Sequence, residues 1–128
     1  MGQGATHFCT GLRVLLVEDE AVIAMLTESM LLDLGCDDVV LAGSVRQALR
    51  AIEERTPDVA VLDVNLRGEM VMPVAETLAA AKVPFAFATG YGRHGILADW
   101  SAYPLVQKPF GLSELEAALK EALGIHPG

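Results

Sequence analysis

The chain is poor in aromatic residues, cysteine and positive charge, and each shortage narrows the reading. One Trp, two Tyr and four Phe leave a core that must be built from aliphatic side chains. Two cysteines, Cys9 and Cys36, make no Cys-x-x-Cys pair and no disulfide framework, so reduced thiols in a cytoplasmic protein are the expectation. Nine Lys and Arg stand against seventeen Asp and Glu, a formal net charge of −8. With no basic run, the phosphate neutralisation that drives nonspecific nucleic-acid binding has no source. The apolar runs Leu12–Val17, Val59–Leu62 and Pro84–Ala88 are far short of the ~18 residues that span a bilayer. No apolar signal segment follows the N-terminus. What the chain does have is 128 residues, 52% of them hydrophobic, enough for one domain with its own core.

Apolar runs and amphipathic segments alternate along the sequence. Leu12–Val17, Val39–Ala42, Val59–Asp63, Phe85–Thr89 and Leu105–Gln107 read as five short strands. Between them lie helical segments. The first covers about Ala21–Leu34, with Ile23, Leu26, Met30 and Leu34 expected on the buried face and Gly35 as its stop. The second is capped by Ser44 with Gln47 and ends near Arg55, before Thr56-Pro57. Asn65–Glu69 reads as a loop, and a third helix follows from about Pro73 to Lys82. A fourth helical stretch is weakened by Gly90, Gly92 and Gly95. The last helix is expected to start at a Ser113–Glu116 capping box, to carry Leu115, Leu119 and Leu123 and to end at Gly124. Strands apolar on both faces that alternate with helices call for a parallel sheet covered on both sides. The expectation is therefore α/β: a doubly wound, flavodoxin-like (βα)5 domain with a five-stranded parallel sheet in the order 2-1-3-4-5. Its expected limits are residues 11–124, between tails at 1–10 and 125–128.

In such sheets ligands bind beyond the carboxyl ends of the strands. There the first strand runs into Glu18-Asp19, the third ends at Asp63, the fourth at Thr89, and the fifth runs into Lys108. Three carboxylates converging on one crevice repel unless a cation lies between them. Oxygen ligands without His or Cys favour Mg²⁺ or Mn²⁺. A hydroxyl and an ammonium opposite suit a phosphoryl group, and Asp63 is placed to be a carboxylate nucleophile.

Leu15-Leu16-Val17-Glu18-Asp19-Glu20, Val61-Leu62-Asp63, Ala88-Thr89-Gly90 and Lys108-Pro109-Phe110 together resemble the receiver domains of two-component response regulators. The resemblance implies that Asp63 accepts a phosphoryl group from the phosphohistidine of a histidine kinase or a histidine phosphotransfer protein. It implies that Glu18, Asp19, Asp63 and the backbone carbonyl of Asn65 bind Mg²⁺, that Thr89 and Lys108 bind phosphoryl oxygens, and that Gly90 leaves room for water or the donor imidazole. Pro84-Phe85-Ala86-Phe87-Ala88-Thr89-Gly90-Tyr91 is similar to the signature of the FATGUY receivers, mostly single-domain proteins often associated with HWE or HisKA2 kinases. Asp63-Val64-Asn65-Leu66-Arg67-Gly68-Glu69 fits that group too. One departure is Leu105, where ordinary receivers carry an aromatic switch residue; Tyr91 or Tyr103 are the candidates to replace it.

The resulting expectation is a stand-alone, phosphorylatable switch, relay or sink, monomeric or weakly dimeric. It acts through protein contacts, binds neither nucleic acid nor membrane, and turns over no external substrate. The alternatives are a haloacid-dehalogenase-like aspartyl-phosphate hydrolase, whose Asp-x-Asp motif Asp63-Val64-Asn65 breaks, and a receiver-like binding module that is never phosphorylated.

Overall fold

Alternation along the strands organises the molecule. A computed structural model describes residues 8–66, 68–90 and 100–125. Its elements are β1 (Arg13–Val17), α1 (Ala21–Asp33), β2 (Asp38–Ala42), α2 (Val45–Glu54), β3 (Val59–Asp63), β4 (Asn65–Leu66), β5 (Glu69–Met70), α3 (Met72–Ala80), β6 (Phe85–Thr89), β7 (Leu105–Gln107) and α4 (Leu112–Ala122). Five strands pair in parallel in the order β2-β1-β3-β6-β7, the 2-1-3-4-5 order expected from the sequence. Residues of one parity, Leu15, Val17, Ala60, Leu62, Phe85 and Phe87, pack with α2 and α3. Those of the other parity, Val14, Leu16, Val59, Val61, Ala86 and Ala88, pack with α1 and α4. The strands are apolar on both faces because both faces are covered.

Several expectations change in detail. The buried face of α1 is Ala24, Thr27 and Leu31; of the expected stripe, Leu34 is buried just past the helix and Met30 packs half-buried against the same cluster, whereas Ile23 is only half-buried and Leu26 faces out. Leu26 is 57% exposed, and Val22, Met25 and Leu32 are exposed as well. Asn65–Glu69 is not a plain loop, since Asn65 pairs with Met70 and Leu66 with Glu69 in an antiparallel hairpin. The last helix begins at Leu112 and is capped two residues before Ser113: Gly111 is its N-cap, and the Glu114 carboxylate accepts the Gly111 N–H at 2.9 Å. The glycine-weakened helix falls largely on residues 91–99, outside the described residues.

The cysteines are the largest correction. Cys9 and Cys36 are joined as a disulfide, with Cα atoms 4.8 Å apart, and both are fully buried. Phe8–Thr10, assigned to a tail from the sequence, form a turn, and Phe8 and Leu12 pack against the α1–α4 core cluster. Lys120 Nζ sits 5.4 Å above the Phe8 ring. No helix among the described residues is long and apolar enough to cross a membrane.

Candidate functional site

The carboxyl edge of the sheet gathers the polar residues that the strands deliver. Parallel pairing sets the ends of β1, β3, β6 and β7 side by side, and Val17–Leu62, Asp63–Ala88 and Thr89–Gln107 are register partners. Backbone bonds fix the residues just past the strands. Glu18 N–H donates to Ala42 O at 3.0 Å, Val64 N–H to Ala88 O at 3.0 Å, and Lys108 N–H to Thr89 O at 2.8 Å. The Lys108–Pro109 peptide is cis.

Side chains from four strand ends gather here. Glu18, Asp19 and Asp63 each offer a carboxylate oxygen, and these oxygens lie within 4.8 Å of one another. Glu18 and Asp63 are buried, at 6% and 7% exposure, as is Thr89 at 2%. Lys108 Nζ lies between two of the acids, 2.7 Å from Glu18 Oε1 and 3.1 Å from Asp63 Oδ2. The other carboxylate oxygens accept backbone bonds, Glu18 Oε2 from Glu20 N–H at 3.1 Å and Asp63 Oδ1 from Asn65 N–H at 3.3 Å. Asp63, Asn65, Thr89, Gly90 and Lys108 line one cleft with Glu20, Val64 and Met70. The structure therefore brings Glu18, Asp19, Asp63, Asn65, Thr89, Gly90 and Lys108 to one edge.

Two titrations are displaced. Burial, reinforced by the neighbouring Glu18 charge, raises Asp63 to about 6 against the hydrogen bond and charge of Lys108. For Lys108, burial alone pulls the ammonium down, but its bonds to Glu18 and Asp63 outweigh this and raise it. The Asp63 shift carries a stability consequence. A folded-state value above the unfolded one contributes stability below about pH 3.8 that is lost as pH rises through about 6. Asp63→Asn is therefore expected to stabilise the metal-free protein at pH 7.5, by roughly 1–3 kcal/mol, and to do so hardly at all near pH 4. Urea unfolding at both pH values checks this, and a variant less stable than wild type at pH 7.5 contradicts it.

The remaining sequence candidates lie elsewhere. Tyr91 falls outside the described residues. Leu105 is half-buried, and Tyr103 stacks on Phe85 with centroids 4.5 Å apart. Phe85 and Thr89 are opposite ends of β6, roughly 13 Å apart at strand rise. Trp100 joins Tyr103, Phe85 and Phe87 in that aromatic cluster. Sequence reasoning missed Met70 as a lining residue, although Gly68 after Asn65 was a turn signal that could have placed it. It also missed an apolar groove beside Lys108, lined by Ile23, Leu26, Met30, Pro109 and Phe110.

The donor set fits a hard divalent cation. Its oxygens are carboxylates, they converge, and an ammonium already neutralises two of them.

Comparison with known proteins bears on the family and the fold. Residues 14–120 match the model of the response regulator receiver domain. The transcriptional regulatory protein PdtaR of Mycobacterium tuberculosis is 30% identical over 115 residues, covering 87% of this chain and 56% of PdtaR. The chain thus spans about half the length of the curated relatives it matches. The solution structure of SdrG from Sphingomonas melonis Fr1 superposes with a TM-score of 0.79 at 42% identity, over 88% of this chain and 96% of SdrG. The BeF3-activated conformation of SdrG, from Pseudomonas melonis Fr1, gives 0.75 at 42% identity over 87% and 94%.

Proposed function

The chain belongs to the response regulator receiver domain family, and from that membership we propose that Asp63 is its phosphoryl acceptor in a Mg²⁺-dependent signalling switch. The observation that carries this reading is the pairing of Lys108 with both Glu18 and Asp63 inside a converging carboxylate set. Glu18, Asp19, Asp63 and the carbonyl of Asn65 would hold the cation, which supplies charge neutralisation for the incoming phosphoryl oxygens. An Asp63 carboxylate oxygen attacks phosphorus, the P–N bond to the donor histidine breaks, and the imidazole nitrogen keeps the electron pair. Lys108 and the Thr89 hydroxyl bind the transferred oxygens, and Gly90 leaves space for the donor ring. Lys108 then exchanges a carboxylate partner for the phosphoryl group, which couples the chemistry to the conformation of the β7 end.

The donor is proposed to be a histidine kinase of the HWE or HisKA2 type, or a histidine phosphotransfer protein. It docks on the apolar groove of Ile23, Leu26, Met30, Pro109 and Phe110, next to Lys108. The 84–91 segment supports membership of the FATGUY subgroup. We further propose that the protein works in the cytoplasm through protein contacts, as a switch, relay or sink, and turns over no external substrate.

Titration with beryllofluoride in the presence and absence of Mg²⁺, followed by Trp100 fluorescence or amide chemical shifts, tests the site. Saturable binding that requires both components and is lost in Asp63→Asn is the expected result. No binding at millimolar Mg²⁺ favours a receiver-like module that is never phosphorylated. Turnover of small phosphate esters favours a hydrolase.

A further inference from the structure

The hairpin that follows Asp63 returns the chain to the cleft. Asn65 and Met70 are register partners across it. The turn between them is closed by Asn65 Oδ1, which accepts the Gly68 N–H at 2.7 Å, with Gly68 at φ +84°, a backbone region that suits glycine. Both flanks are anchored: Leu66 and Val71 are buried at 3% and 0% exposure, and Val71 N–H donates to Val64 O at 3.1 Å. Met70 is therefore held at the rim of the cleft that contains Asp63, Thr89 and Lys108. It is 43% exposed, so a large part of its apolar surface remains open to solvent at that rim. Among the described lining residues it is the one exposed large apolar side chain; the others are polar, glycine or, in Val64, buried.

We propose that Met70 covers the hairpin side of the phosphorylated site and sets the lifetime of the aspartyl phosphate by excluding water. The inference rests on Asp63 being the phosphoryl acceptor. In the step it restrains, water attacks phosphorus and the bond between phosphorus and the Asp63 oxygen breaks. The carboxylate is restored, and the water protons leave with inorganic phosphate or pass to solvent. A flexible, unbranched thioether can lie over a phosphoryl group without competing for its oxygens. Met70 is thus a positioning residue for solvent, while the groups that bind phosphoryl oxygen are unchanged.

The test phosphorylates wild type, Met70→Ala and Met70→Leu with acetyl phosphate and Mg²⁺. It follows acyl-phosphate loss by intact mass, both in Mg²⁺ and after chelation. Met70→Ala is expected to lose the group at least about fivefold faster in both conditions, with its phosphorylation rate within about twofold of wild type. Met70→Leu, which keeps the apolar cover, is expected to behave as wild type. A purely structural role would shift phosphorylation and hydrolysis together. Equal hydrolysis rates in phosphorylated wild type and Met70→Ala overturn the inference and leave the acceptor reading intact. Failure of wild type to take up the group overturns both.

Discussion

Replacing Lys108 with Met is expected to destabilise the metal-free protein at pH 7.5 by about 3 kcal/mol, because it leaves buried carboxylates without their counter-ion. Lys108 contacts Glu18 at 2.7 Å and Asp63 at 3.1 Å, and its side chain is only 18% exposed. Its titration is raised in the folded state, so its contribution is fully present below the ordinary value of 10.5 and is lost only in strong alkali. At pH 7.5 the whole interaction is therefore at stake. Two remedies should narrow the gap. Near pH 5 the wild-type Asp63 is already largely protonated and gives up part of its pairing, and in the variant its titration moves still higher. Millimolar Mg²⁺ should narrow it as well, since a divalent cation supplies the missing positive charge. Urea midpoints for both proteins at pH 5 and pH 7.5, with and without Mg²⁺, measure all three effects. Equal midpoints at pH 7.5 without metal contradict the electrostatic account of the site.

Reduction of the Cys9–Cys36 disulfide is expected to have the second large effect. The bond joins residues 27 positions apart. Closing a loop of that length restricts the unfolded chain by about 3.5 kcal/mol in the chain-entropy account. For a domain of this size that corresponds to a melting temperature lower by roughly 10 °C in reductant. The fold should survive, because the two sulfurs occupy a core cluster that Leu31, Leu34, Leu115 and Leu119 also build. Melting curves with and without dithiothreitol check the effect, and a Cys9→Ala/Cys36→Ala protein serves as the reductant-insensitive control. Identical melting of the wild type in both buffers contradicts it.

The disulfide was illegible in the sequence for a physical reason. Spacing alone does not place two cysteines, and Cys9 stands in a stretch of small and polar residues that reads as a tail. The burial of α1 was misread for a different one. Val22, Met25, Leu26 and Leu32 make the helix apolar nearly all round, so periodicity has no polar face against which to choose. Ile23, Leu26 and Met30 of that stripe line the groove beside Lys108. The hairpin was hidden because its strands are two residues long and carry no alternation. The cap at Gly111 was hidden because glycine has no side chain to announce a cap, leaving Glu114 to close the turn alone.

What was legible was the site. Leu15–Val17, Val59–Leu62 and Phe85–Ala88 are unmistakable buried strands, and a polar residue at the end of such a strand has few reasons to be there. Glu18, Asp63 and Thr89 satisfied that test, Lys108 follows the shorter fifth strand, and the structure sets all four on one edge. Three of the chain's excess negative charges, those of Glu18, Asp19 and Asp63, thereby belong to a converging set rather than to a solvated surface.

The most direct test of the central claim is the intact mass of the protein after incubation with acetyl phosphate and Mg²⁺, followed by mapping of the modified residue. A gain of one phosphoryl group at Asp63, absent from Asp63→Asn and lost when divalent cations are chelated beforehand, is the expected result. An unmodified wild type, or a gain that persists in Asp63→Asn, would contradict it.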